Sequence, residues 1–201
     1  EIKVGSSGNR IVANVIHDTN YPGITVYGSG GGPVNRIERN VIWNAGDHGI
    51  QAAADAVIDH NTIAKTKHSG IYSRKHQGAS PGRLLITHNV VVGSGEASLR
   101  IIQNSDNHRP LPIKISYNQF RQSRASDDAV RIDARIRLVA DYNRGVGKWS
   151  APAPALPASA APNVAYWSSD PKIEWTIPRD DQHPAWKFID RSTLWKRLNG
   201  E

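Results

Sequence analysis

Six asparagines, Asn14, Asn40, Asn61, Asn89, Asn118 and Asn143, recur at intervals of 21 to 29 residues, and the first five carry matching apolar neighbours. Isoleucine stands three positions before each of these five (Ile11, Ile37, Ile58, Ile86, Ile115). An apolar side chain stands two positions after (Ile16, Ile42, Ile63, Val91, Phe120). Nine residues beyond each of the first four begins a small-then-aliphatic pair: Gly23-Ile24, Gly49-Ile50, Gly70-Ile71 and Ser98-Leu99. Asn118 reaches Ala129-Val130 after a two-residue insertion. Self-similarity at this period describes a solenoid, in which each unit buries its apolar face only against the next.

Each unit holds three short apolar stretches separated by polar turns, and none keeps a helical period. Three strands per unit, stacked unit on unit, predict an all-β parallel β-helix of about five to six coils, with paired strands about 4.8 Å apart. Asparagine suits the inside of a bend, where it tolerates left-handed backbone and its amide can bond the chain one coil away. Glycine ahead of each inward isoleucine is expected to let the chain turn tightly into its strand. Hydrophobic residues make up 38% of the chain and aromatics only 7%, so the core must be small aliphatic side chains.

The asparagine column and the Gly-Ile strands resemble the right-handed parallel β-helix repeats of the pectate-lyase-like superfamily, over about residues 1 to 147. The resemblance implies that the Gly-Ile strand is the first of each coil, and that its sheet lines the substrate cleft. It also implies a carbohydrate-active protein, secreted or periplasmic.

Glu1-Ile2-Lys3-Val4 fits the Gly-Ile strand with Ile2 inward, so the sequence opens inside a coil. The expectation is that further N-terminal coils precede it, on the same or another chain, because an uncapped end would expose strand edges. Composition changes after Gly147. Residues 151–162, "APAPALPASAAP", form a Pro/Ala linker, and five of the six tryptophans (Trp149, Trp167, Trp175, Trp186, Trp195) lie beyond that glycine. Residues 148–201 are thus expected to be an irregular tail whose rings cover the side or end of the helix. A short terminal helix capped by Ser192 is expected within it.

Strand alternation orders the outward side chains of the Gly-Ile sheet. One column reads Lys3, Thr25, Gln51, Tyr72, Arg100 and Arg131, and a second includes Tyr27, Arg74 and Asp133. The turn after the third strand is basic, with Arg74, Lys75 and His76, while the preceding turns contribute His17, Asp18, Trp43, Asp47, His48, Lys65, Lys67 and His68. The formal charge of +7 agrees with an acidic polysaccharide as partner. Nucleic acid is disfavoured, because the basic residues are not interleaved with exposed aromatics along a groove.

Eliminative cleavage of a uronic acid polymer needs a cation against the sugar carboxylate, a base for the C5 proton and an acid for the leaving oxygen. Arg74 or Arg100 fits the first role, Lys75 or His48 the second and Tyr72 the third. Lys3, Gln51, Tyr27, His76 and Arg131 are the candidate substrate-binding residues. No metal site is assigned, although Asp18, Asn20 and Asp47 offer oxygens from which a calcium site could be built. A hydrolase would need two carboxyl groups straddling the bond. Asp18 and Asp47 lie on neighbouring turns, but at different offsets from their Gly-Ile pairs. A non-catalytic β-helix (adhesin, assembly module or tailspike fragment) stands as the alternative from another class. His60 and His88, one position before their asparagines in a column with Arg39, Tyr117 and Tyr142, read as solvated ladder residues. With no cysteine, thiol chemistry is excluded, and no apolar run is long enough to span a membrane.

Overall fold

The computed structural model of the chain describes residues 1–3, 6–27, 32–76, 83–102, 113–162 and 165–169. Trp175, Trp186, Trp195 and the helix expected at Ser192 lie outside the described residues. The first coil carries β1 (Arg10–Val12), β2 (Val15–Thr19) and β3 (Ile24–Val26), and the second β4 (Asn35–Glu38), β5 (Val41–Ala45) and β6 (Ile50–Ala52). The third carries β7 (Ala56–Asp59), β8 (Thr62–Ala64) and β9 (Ile71–Ser73), and the fourth β10 (Leu84–Thr87), β11 (Val90–Val92) and β12 (Leu99–Ile101). The fifth carries β13 (Ile113–Ser116), β14 (Gln119–Arg121) and β15 (Asp128–Ile132). The sixth carries β16 (Leu138–Asp141), β17 (Asn143–Val146) and β18 (Lys148–Ser150), followed by β19 (Trp167–Ser168).

Corresponding strands stack into three sheets, in the orders β1-β4-β7-β10-β13-β16, β19-β17-β14-β11-β8-β5-β2 and β18-β15-β12-β9-β6-β3. Every strand pairing among the described residues is parallel. The sheets are named here pre-Asn, post-Asn and Gly-Ile. Their registers align the repeat as the sequence spacing predicts: Ile86 on Ile58, Val91 on Ile63, Leu99 on Ile71. The core is three aliphatic columns meeting along the axis, with Ile37, Ile58, Ile86 and Ile115 facing Ile63, Val91, Phe120, Ile50, Ile71 and Leu99, all fully buried. Each such side chain stabilises the fold by roughly 1.5–3 kcal/mol.

At the corner between the pre-Asn and post-Asn sheets the six asparagines form a continuous ladder. The Oδ1 of Asn61 accepts the backbone N–H and the side-chain amide of Asn40, each at 3.0 Å. Its own Nδ2 donates to Ile37 O and to Asn89 Oδ1, both at 2.9 Å. The pattern repeats at Asn40, Asn89, Asn118 and Asn143. The left-handed residue is not the asparagine itself but the one before it: Ala13, Arg39, His60, His88, Tyr117 and Tyr142 have φ between 52° and 59°. The side-chain amide, not αL tolerance, is therefore what the column requires of asparagine.

The Gly-Ile glycines also serve a purpose other than the expected one. Gly23, Gly49 and Gly70 do not adopt positive φ. A Cβ on Gly49 would instead collide with Ile63 Cγ2 and stand 2.6 Å from Gly70 O, and one on Gly23 would stand 2.7 Å from Ile42 Cγ2. Glycine is demanded because a core side chain of the next coil presses against its backbone.

The sheets run on past Gly147. β18 pairs with β15 and sets Trp149 in register with Val130, β19 pairs with β17, and Ala155 bridges Val139. Trp149 packs edge-on to Tyr166 (5.3 Å between centroids) and 5.6 Å from Trp167, and all three rings lie against the core. No helix among the described residues is long and apolar enough to cross a membrane.

Candidate functional site

The Gly-Ile sheet sets Thr25, Gln51, Tyr72, Arg100, Arg131 and Ser150 in one register column. The predicted member Lys3 falls elsewhere. Ile2 bridges Val26, not Ile24, and Tyr27 N–H donates to Ile2 O at 2.9 Å, so Lys3 lies beside Tyr27. The shift is by two residues, which keeps Ile2 on the core side and Lys3 on the outer side. Lys3 there pairs with Glu1 (3.2 Å), Glu1 accepts the Tyr27 hydroxyl (2.8 Å), and Tyr27 meets His76 at 4.5 Å between centroids. Burial raises the Tyr27 phenol, and its bond to Glu1 raises it further. Lys3, Tyr27 and His76 thus form one local group at the flank.

An evenly open trough is not what the column forms. Gln51 and Tyr72 are only 7% and 6% exposed, whereas Arg131 is exposed. Rings from the flanking turns account for part of this, since His48 stacks on Tyr72 with centroids 4.0 Å apart. The guanidinium carbons of Arg74 and Arg100 lie 5.7 and 5.8 Å from the centroid of the same Tyr72 ring, within cation–π range. The structure therefore gathers His48, Tyr72, Arg74 and Arg100 around one aromatic ring. Lys75 follows in the next turn, half-buried, and Arg131 stands one coil beyond Arg100.

Two residues complete this cluster: Glu96, which is not among the expected site residues, and His68, which is expected only as part of the polar margin. Glu96 accepts hydrogen bonds from Arg100 Nη1 at 2.6 Å, Ser69 Oγ at 3.1 Å and His68 Nδ1 at 3.1 Å. Burial pushes the Glu96 carboxyl up, but the hydrogen bonds from His68, Arg100 and Ser69 outweigh it and hold the group below its ordinary value. With Nδ1–H committed to a carboxylate, the His68 imidazole keeps its Nε2 lone pair. Its side chain is 41% exposed.

His48 is set up differently. Its Nδ1 accepts the Ser69 backbone N–H at 3.1 Å, which assigns the proton to Nε2, 3.4 Å from Asp47 Oδ1. Burial lowers its pKa, against the opposing charges of Asp47 and Glu96. A neutral ring whose lone pair is taken by an amide is poorly placed to accept a proton, so His48 acts as the lid on Tyr72. The signal that could have found the dyad is its offset. Asp47, His68 and Glu96 each stand two residues before the small residue of their pair, and adjacent coils join them through His68 N–H to Asp47 O and Glu96 N–H to His68 O.

Of the calcium candidates, the Asp18 carboxylate binds His17 Nδ1 at 2.7 Å and the Asn44 amide, while Asp47 faces His48. No curated protein and no solved structure matches the chain. Residues 1–120 match the profile of a family described as right handed beta helix region. That match covers more than half of the sequence, and with three parallel sheets of repeating strands it means that the chain belongs to the right-handed β-helix family, at the level of fold one of the pectate-lyase-like proteins.

Proposed function

We propose that this β-helix cleaves an acidic, uronate-containing polysaccharide by β-elimination on its Gly-Ile sheet, outside the cytoplasm where such polymers lie. The observation that carries the reading is Glu96, whose carboxylate binds both the His68 imidazole and the Arg100 guanidinium beside the Gly-Ile sheet. In this reading the sugar carboxylate sits against Arg74 and Arg100, which withdraw charge and acidify the C5 proton. His68 Nε2 takes that proton, a double bond forms between C4 and C5, and the bond from C4 to the glycosidic oxygen breaks. The His68 imidazolium returns the proton to the departing oxygen, so charge and atoms balance. Tyr72, covered by His48, is a platform for the two arginines and not the acid. Arg131, one rung on, extends the cationic column along the polymer.

Binding without cleavage is the second reading, favoured by the ion pair that already occupies Arg100. Ultraviolet absorbance of unsaturated uronate, followed on pectate, alginate and glycosaminoglycans with and without calcium, separates the two. The lyase reading expects absorbance on at least one polymer and its loss in His68→Gln. Absence of signal on every polymer, with retained binding in a pull-down on the same polymers, establishes the non-catalytic reading instead.

A further inference from the structure

A different corner of the coil holds a second group of reactive side chains. His60 and His88 stand one residue before ladder asparagines, in left-handed backbone with φ of 54° and 53°. The asparagine bonds at Asn61 and Asn89 pin that corner, so the two imidazoles are held one coil apart and stacked, with centroids 4.6 Å apart and planes 14° from parallel. Asp59, the last residue of β7, lies against both. His60 Nδ1 is 2.7 Å from its Oδ2 and His88 Nδ1 is 3.2 Å from its Oδ1. The Thr87 hydroxyl donates to Oδ1 at 2.6 Å.

Both rings therefore turn the same nitrogen toward one carboxylate, and one ligand atom from each residue lies within 4.8 Å of the others. In a tetrahedral metal site with bonds of about 2.0–2.2 Å, neighbouring ligand atoms stand about 3.3 Å apart. The His88 Nδ1 to Oδ1 separation of 3.2 Å is close to that spacing, and the His60 Nδ1 to Oδ2 separation of 2.7 Å would have to widen by about 0.6 Å to admit the ion. Thr87 supplies the outer hydrogen bond that fixes a ligating carboxylate. Side-chain exposures of 43% and 46% for His60 and His88 leave an entry path and room for water as a further ligand. Two imidazoles with one carboxylate suit Zn²⁺, Ni²⁺ or Cu²⁺ and not the all-oxygen preferences of Ca²⁺ or Mg²⁺.

We propose that Asp59, His60 and His88 bind a divalent first-row transition ion of the zinc type, at a site separate from the Gly-Ile sheet. The coincidence is confined to these coils: at the next two rungs of the corner Tyr117 and Tyr142 continue the ring stack and bring no imidazole.

The test is calorimetric titration of chelator-treated protein with ZnCl₂ near neutral pH, with CaCl₂ and MgCl₂ in parallel. One saturable zinc site is expected, with affinity weakened at least about tenfold in His60→Asn and in His88→Asn. Asparagine tolerates left-handed backbone, so both variants should keep the parent circular dichroism spectrum and melting temperature in the absence of metal. His17→Asn, which removes a histidine also paired with an aspartate, should leave zinc affinity unchanged. Zinc should raise the melting temperature of the parent and not of the two corner variants. No saturable uptake of zinc, or equal affinity in His60→Asn, His88→Asn and parent, overturns the assignment.

Discussion

Replacing Asn61 by alanine tests whether the asparagine ladder is what holds the coils in register. The parent side chain accepts two hydrogen bonds from Asn40 and donates to Ile37 O, Asp59 O and Asn89 Oδ1. Truncation strands the Asn40 backbone N–H, which sits in a residue with no solvent exposure. The Asn40 side-chain amide keeps Ile11 O, and Asn89 Oδ1 keeps the residue-61 N–H, so those groups lose one partner each and not all. An orphaned buried amide costs about 1–3 kcal/mol and each of the four further lost bonds about 1 kcal/mol, which sets an upper range for Asn61→Ala of roughly 5–7 kcal/mol. Asn14 provides the internal control. It is exposed at the end of the ladder and donates to Asn40 Oδ1 and Val12 O. Asn14→Ala leaves its own backbone N–H bonded to Asn40 and should cost less than about 1 kcal/mol. Urea unfolding followed by far-ultraviolet circular dichroism, with the slope m unchanged, measures both losses. Equal destabilisation at positions 14 and 61 would refute the reasoning, because Asn61 is buried and accepts two ladder bonds, whereas Asn14 is exposed and only donates.

The glycines give a second contrast. Gly70→Ala drives a Cβ into Val91 and to 2.8 Å from Ser98 O, so it should lower stability by about 1–3 kcal/mol or more. Gly93→Ala meets nothing within 4 Å but must hold φ near 64°, a strain of about 1–2 kcal/mol, and thermal melts should rank Gly70→Ala as the worse. His48 has a pKa depressed by burial, so on acidification the unfolded chain takes up its proton before the native one. Stability should fall as pH drops below the ordinary histidine value of about 6.5. His48→Gln should remove that part of the slope in urea titrations across this range, and an unchanged slope would contradict the assigned burial. Glu96 has a depressed pKa, so its contribution is complete above the ordinary carboxylate range and is lost as pH falls through its folded value. Glu96→Gln should flatten that acid-side loss. If the lyase reading holds, it should also cut kcat on the responsive polymer by about 10²-fold or more, since a neutral amide no longer stabilises the His68 imidazolium.

The spacing of Asn, Ile and Gly-Ile was enough to determine the coil, its three strands and the register of five turns, because a solenoid repeats one local environment at one sequence interval. Alternation likewise determined which side chains of the Gly-Ile strands leave the core, as the alignment of Gln51, Tyr72 and Arg100 attests. Why each column needs its residue was decided in three dimensions. Glycine at 49 answers to a methyl group of Ile63 in the next coil, and the left-handed backbone belongs to His60 and not to Asn61. Lys3 was placed by a single bridge at the end of the stack, where one coil of sequence carries no periodic check on its register. The candidate site divides in the same way. Arg74, Arg100 and Tyr72 could be read from alternation, but the bonds joining Glu96 to His68 and Arg100 cross between turns and coils whose lengths vary. Periodicity specifies which way a side chain points, while its partner depends on how turns of unequal length fold over the sheet, and that only the packed chain decides.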